Sequence, residues 1–363
     1  MRASTFPFAI LLSFVATVCA SPAPMLVLPR EDREILERAE LVARADDSYR
    51  TLSSASNPNW MASHSDATSL AALSIPGTHE TMAITGGDLT QCQENFGNSA
   101  ETLTAQLNAG IRAIDIRLRI VEDNKFAIHH GAVYQNANFD DVINKLDAFL
   151  AVHTGEAVVL RVKQECTGEI GSCTDVSGQS SFVDIFDMYM ANSPAARRIF
   201  WPASINRNSA AAVPTLGQVR GKAVLMVLHN AHGSRTNAYG LAQFSAWNDG
   251  NSQFVQDSYN VPNINAIATK RDQFRRFLDS YNAGSTDDES KIYVNFASGA
   301  SVLAWPYQVA GGALGVQGVN PFFLIYLGQG TDVHQAVHRT GVVLMDFPGG
   351  VLINKILSFN KGL

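Results

Sequence analysis

The chain has 363 residues, 46% hydrophobic and 17% charged, enough for a large core, and single α/β barrels commonly take this length as one domain. Its 27 basic and 33 acidic residues leave a net charge of −6, which argues against nucleic-acid binding and against strong attraction to anionic membranes. No apolar run is long enough to span a bilayer.

Residues 1–20 have the pattern of a secretory signal: Arg2, an apolar run over 8–18, then small residues around Cys19 and Ala20 at the cleavage positions. A secreted, monomeric protein is expected. Residues 21–66 are charged with helical spacing and then polar, and contain no dibasic pair. They are expected to be a propeptide or flexible N-terminal segment, with the folded domain covering 67–363. In an oxidising compartment Cys166 and Cys173, separated by a polar loop, are expected to pair, with Cys92 left buried or free; Cys92 with Cys166 is the alternative pairing.

An apolar run ends in Ile75-Pro76-Gly77-Thr78, and Pro and Gly stop the strand so that His79 falls just past its end. Ser99 is placed to cap a helix running through Leu103 and Leu107 to a Gly110 stop. In 111–119, Asp115, Arg117 and Arg119 alternate with Ile114, Ile116 and Leu118, so Asp115 and Arg117 share one face of a strand. Charge on so apolar a strand is costly unless it is paired or lines a wet site. A two-residue turn at Asp123-Asn124 would start a hairpin that places Arg117 opposite His130. Asn138 is placed to cap a helix burying Phe139, Val142, Ile143, Leu146, Phe149 and Leu150, with Asp140 and Asp141 in its first turn. Residues 157–162 read as a buried strand ending in Lys163 and Glu165. Residues 182–190 read as a helix, 223–228 and 291–296 as strands, and 341–344 as a last strand ending in Asp346 before a C-terminal helix through Ile353, Ile356 and Leu357.

Apolar runs alternating with amphipathic helices imply a parallel sheet covered on both faces. The fold class expected is α/β, a single irregular (β/α)8 TIM-type barrel, with the irregularity between Leu228 and Lys291. His79, Arg117, Lys163 and Asp346 then all lie at carboxyl ends of strands, where barrel enzymes keep their chemistry. Two histidines around an arginine suit cleavage of a phosphate ester: one imidazole takes a proton from the attacking hydroxyl, the other protonates the leaving oxygen, and the guanidinium binds the phosphate.

Ser74-Ile75-Pro76-Gly77-Thr78-His79, Asp115-Ile116-Arg117, His129-His130-Gly131, Gln256-Asp257-Ser258-Tyr259 and Leu344-Met345-Asp346, in that order, resemble the bacterial, single-domain phosphatidylinositol-specific phospholipases C. The resemblance implies His79 as general base with Asp346 as its partner, His130 as general acid and Arg117 as the phosphate ligand. Glu80 stands where those enzymes carry aspartate, and is expected to pair with His130. Lys163, Asp257 and Tyr259 resemble the inositol-holding set, and Asp115 is grouped with them. No basic residue other than His229 stands near Leu228, where the family places one against inositol. The implied partner is phosphatidylinositol or glycosylphosphatidylinositol at a membrane surface. Trp305 and Tyr307 are the candidates for an apolar rim. Neither metal nor other cofactor is expected, because Arg117 occupies the position that calcium ligands take in the metal-dependent relatives. The alternatives are a metal-dependent barrel phosphodiesterase acting on glycerophosphodiesters or sphingomyelin, and a non-catalytic inositol-lipid-binding protein.

Overall fold

The computed structural model describes residues 45–166, 173–202, 211–230, 234–283, 290–329 and 337–363. The expected leader at 1–20 lies outside them. The strands are β1 (Ile75–Thr78), β2 (Ala113–Val121), β3 (Lys125–His130), β4 (Val133–Asn138), β5 (Ala157–Gln164), β6 (Phe200–Trp201) and β7 (Lys222–Asn230), the longest of them, β2, β5 and β7, being rich in Val, Ile and Leu. They continue as β8 (Ser234–Gly240), β9 (Val255–Gln256), β10 (Val294–Phe296), a small hairpin of β11 (Gly312–Ala313) with β12 (Val316–Gln317), and β13 (Val342–Met345).

Eight strands run side by side in the order β6-β7-β5-β2-β1-β13-β10-β9, every neighbouring pair parallel. Among the described residues no ladder joins β6 to β9, so the barrel is open there; β9 lies in the 228–291 stretch where irregularity was expected, but β6 precedes it.

The two-residue period sorts side chains between the barrel's inside and its helical coat. Ile114, Ile116 and Leu118 of β2 and Val158, Leu160 and Val162 of β5 pack outward against the helix Phe139–Val152, which buries all six residues its spacing marked. Ala113, Val159, Val224, Val294 and Leu344 fill the interior. Gly77 is required there, because a Cβ would stand 2.6 Å from that of Ala113. Above this apolar floor the inward positions of β2 and β5 become Asp115, Arg117, Arg161 and Lys163, so the rim is where the interior turns polar.

Three expectations differ from the structure. The segment 21–66, expected to be a propeptide or flexible, is packed and not flexible in its described part, 45–66: Met61 is fully buried, Asn57 donates to the carbonyl of Ala109 at 2.8 Å, and the Trp60 indole donates to that of Gly110 at 3.0 Å. These carbonyls belong to the end of the helix Thr102–Ala109, which has no intrahelical partners for them, so the segment completes that helix end. Gly110 closes it at φ 119 as expected, whereas Ser99 bonds Glu101 one turn before the helix rather than capping it.

The β2–β3 hairpin also differs. Its turn has three residues, Glu122–Asn124, and pairs Val121 with Lys125 and Leu118 with Ile128, so Arg117 is not opposite His130. Asn124 is held by Gln179 and Ser180, a tertiary anchor that fixes the longer turn. A one-residue slip reverses the faces; a register shift between Ala127 and His129 in the β3–β4 ladder re-aims the end of β3.

Candidate active site

The carboxyl ends of the strands enclose a cavity of about 450 Å³ lined by His79, Glu80, Arg117, His130, Lys163 and Asp346, among others. Its centre is two imidazole–carboxylate pairs with a guanidinium between them. His79 follows β1, and its Nδ1 lies 2.9 Å from Oδ1 of Asp346, the residue after β13. Because β1 and β13 pair in parallel, adjacent strand ends bring the two together. With Nδ1–H donating to the carboxylate, Nε2 is left with its lone pair toward the cavity, 3.4 Å from Nη2 of Arg117. Burial works against a charged ring, but Asp346 and Glu80 outweigh it and hold the His79 pKa above its ordinary value.

The second pair is His130 with Glu80. Nδ1 of His130 faces both Oε2 of Glu80, at 2.7 Å, and the carbonyl of Thr90, at 2.8 Å, so Nε2 is the nitrogen left for the cavity. Desolvation opposes its charge, yet Glu80 raises the His130 pKa to about 9. Burial likewise opposes ionisation of Glu80, and His130 and Arg117 overcome it, keeping that carboxyl well below the usual range. Glu80 has φ 42 and Phe347, beside Asp346, has φ 46, left-handed backbone that costs a non-glycine residue about 1–3 kcal/mol. The residues flanking His79 and Asp346 thus hold strained turns.

Arg117 is gripped from three sides. Asp115 accepts from Nε at 3.1 Å and from Nη2 at 2.9 Å, while Nη1 lies 3.4 Å from Glu165 and 3.5 Å from Glu80. Burial disfavours the guanidinium's charge, but these carboxylates raise its pKa well above the ordinary value. Asp115, grouped from the sequence with the inositol-holding set, is only 1% exposed, lies behind Arg117 and holds its guanidinium.

Lys163 reaches the cavity, and its Nζ pairs with Asp249 at 2.9 Å, not with Glu165. Asp257 and Tyr259 line the same wall, Tyr259 being 61% exposed. Trp305 and Tyr307 lie tilted against each other, half-buried, and the residues that project furthest from their loop are Val302 and Leu303. His129 turns away against Tyr134. His229 is fully buried, bonded to Arg161 and to the Trp247 carbonyl; desolvation and Arg161 push it down to about 3, so it stays neutral and structural. Cys166 and Cys173 form the expected disulfide, and Cys92 is free, buried and against the cavity.

Sequence reasoning missed Asp249, Glu165, Arg161 and Cys92 as parts of this site. Arg161, Lys163 and Glu165 repeat on β5 the alternation that marked β2, a signal that was there to be used. Asp249 arrives on a loop and carried no such mark.

The profile of the phosphatidylinositol-specific phospholipase C X domain matches residues 73–228, which contain His79, Glu80, Arg117, His130 and Lys163. The 1-phosphatidylinositol phosphodiesterase of Listeria monocytogenes is 30% identical over 311 residues, covering 85% of this chain and 86% of that one. That of Staphylococcus aureus strain Newman is 26% identical over 339 residues, covering 88% and 98%. The solved phosphatidylinositol-specific phospholipase C from Listeria monocytogenes superposes with a TM-score of 0.57 at 27% identity, over 84% of this chain and 99% of that one. A Staphylococcus aureus structure gives a TM-score of 0.60 at 22% identity, over 85% and 99%, a likeness of fold. With a relative at this identity across most of both chains, the chain belongs to the phosphatidylinositol-specific phospholipase C family.

Proposed function

We propose that the chain cleaves phosphatidylinositol, free or in glycosylated anchors, to diacylglycerol and inositol 1,2-cyclic phosphate without a metal. The observation that carries this reading is the guanidinium of Arg117 set between two histidines, each with its own carboxylate. Nε2 of His79 takes the proton of the inositol 2-hydroxyl as that oxygen attacks phosphorus. Nε2–H of His130 gives its proton to the departing diacylglycerol oxygen. Arg117 faces the phosphate oxygens, where charge grows in the transition state. Attack by a neighbouring hydroxyl has an effective molarity on the order of 10⁵ M or more, so this step needs no activated water. Lys163, Asp257 and Tyr259 hold the inositol ring, and Asp346 and Glu80 orient the two imidazoles.

The lipid must be reached at a surface. Tyr259, Val302 and Leu303 are 61%, 77% and 68% exposed, and the Tyr259 carbonyl accepts from the Ala300 N–H at 2.9 Å, so two adjoining loops present exposed apolar side chains beside the cavity. We assign them, with Trp305 and Tyr307 behind, to membrane contact. Among the described residues no helix is long and apolar enough to cross a membrane. The Cys166–Cys173 disulfide supports export to an oxidising compartment.

The test is incubation of the protein with phosphatidylinositol vesicles followed by phosphorus NMR, with and without EDTA. A cyclic inositol phosphate signal formed equally in both supports the reading. EDTA-sensitive turnover, or lipid binding with no product, refutes it in favour of a metal-dependent phosphodiesterase or a binding protein.

A further inference from the structure

Cys92 has no role in the proton transfers, yet it stands among the groups that carry them. Its N–H donates to the Ala83 carbonyl and its own carbonyl accepts from the Phe347 N–H, both at 2.9 Å, so the backbone fixes it beside the residue following Asp346. Its Sγ, a ring nitrogen of His79 and a carboxylate oxygen of Asp346 lie within 4.8 Å of one another; so do Sγ, a ring nitrogen of His130 and an oxygen of Glu80. Cys92 is fully buried and is among the residues that line the cavity, so only a small movement of the lining separates its thiol from an ion held there.

We propose that Cys92, His79 and Asp346 form an inhibitory binding site for a borderline-soft divalent cation, of which Zn²⁺ is the best match. Three donors of S, N and O type, to which water would add the fourth ligand, are a zinc set. Ca²⁺ needs about six to eight oxygen ligands, and Mg²⁺ a near-ideal octahedron, neither of which this cluster offers. Tetrahedral bonds of about 2.0–2.3 Å separate donor atoms by roughly 3.5 Å, so closing the cluster takes a shift of about an ångström. On binding, the thiol loses its proton to solvent and becomes the thiolate ligand. The ion also takes a lone pair from His79: through Nε2 it removes the base, through Nδ1 it displaces the proton shared with Asp346. Either way the ring no longer accepts a proton. The cation is an inhibitor, and catalysis stays metal-independent.

The inhibition rests on the reading of function given above; the site itself does not, and the experiment separates them. Co²⁺ is titrated into the full chain without lipid and followed by absorption, then Zn²⁺ is titrated into the cleavage assay. One equivalent of Co²⁺ is expected to give a thiolate-to-cobalt charge-transfer band that Zn²⁺ erases and that is missing in Cys92→Ser. Zn²⁺ should inhibit cleavage reversibly, Mg²⁺ and Ca²⁺ should not. Cys92→Ser, compared with its own zinc-free rate, should need at least about tenfold more Zn²⁺, since even outer partners of a metal site are worth roughly 10–100-fold in affinity. If Cys92→Ser does not fold, Asp346→Asn should weaken the cobalt band's affinity by a similar factor. Absence of the band in the wild-type chain, or equal zinc sensitivity in Cys92→Ser, overturns the proposal. A cysteine-dependent band in a chain that turns over no phosphatidylinositol refutes the function reading and leaves the metal site standing.

Discussion

Oε2 of Glu80 lies 2.7 Å from Nδ1 of His130, while the other oxygen of the same carboxylate is 3.7 Å from Nε2 of His79. One carboxylate therefore raises the proton affinity of both imidazoles, and with Arg117 3.5 Å away its own charge is secured.

The pH dependence of cleavage follows from these directions. Activity requires His79 without its Nε2 proton, and its pKa is raised above 6.5, so the rate falls as pH drops through a value above 6.5. Activity also requires His130 with its Nε2 proton, and that proton leaves near pH 9. A bell-shaped profile of kcat/KM on phosphatidylinositol vesicles is expected, with its plateau between these limits. An alkaline limb near 6.5 would contradict the assignment of His130 as the acid.

Removing the charge of Glu80 isolates its effect. In Glu80→Gln burial of His130 acts without its main opponent, so the His130 pKa falls from about 9 toward or below 6.5 and the alkaline limb moves down with it. At pH 8 the variant should be strongly impaired, and below pH 6 much less so relative to wild type. The pH profile, with an NMR titration of the His130 ring, distinguishes this from a general loss of structure, which would depress the rate at every pH.

Asp346→Asn tests the other dyad. The amide can place its oxygen or its NH₂ against Nδ1, so the ring is no longer held with Nε2 free to accept. A loss of kcat on the order of 10²–10⁴-fold is expected, the contribution of a positioned base, with vesicle binding unchanged. Near-wild-type kcat would remove His79 from its proposed role.

Arg117→Lys removes the paired hydrogen bonds to Asp115 and replaces a planar fork by a point charge. The lysine keeps the charge but not its aim, so kcat should drop by about 10²–10³-fold, the scale of one misplaced transition-state donor. EDTA should alter neither protein. A wild-type rate in the lysine variant would mean that charge alone, without geometry, serves the phosphate.

How much of this was legible in the sequence depended on how local each cause is. The face shared by Asp115 and Arg117 follows from strand period, and the same period along β5 and one residue past it would have set Arg161 and Glu165 beside Lys163. His79 beside Asp346 needed only two parallel strands ending at one rim. The hairpin register was not legible, because Gln179 and Ser180, 55 or 56 positions away, hold Asn124 in the longer turn. Asp249 came from a loop whose path is set by its partners Arg161 and Lys163. Residues 45–66 looked flexible because their partners, among them Ala109, Gly110, Glu156 and Arg220, lie far along the chain, and composition does not register such contacts.

The opposite end of the barrel makes a prediction about stability alone. Arg112 precedes β2 and Glu156 precedes β5, and both are fully buried at the amino ends of parallel strands. Oε2 of Glu156 accepts from Nε of Arg112 at 3.0 Å and stands 2.8 Å from Nη2, while Oε1 accepts from the Ala62 N–H at 2.9 Å. The remaining guanidinium protons go to the carbonyls of Leu107, Ile111 and Pro58, so the pair ties the N-terminal segment to the barrel floor. Breaking a buried pair from one side strands the other charge, at a cost of about 3–5 kcal/mol. Glu156→Gln should therefore lower the unfolding midpoint in denaturant by that equivalent, with kcat unchanged at a temperature where it stays folded. Replacing both partners at once, as Arg112→Met with Glu156→Leu, removes two desolvation costs together and should recover much of the loss. If the double variant is as unstable as the single one, the pair's hydrogen bonds to the 45–66 segment, rather than its charges, are what hold the floor of the barrel.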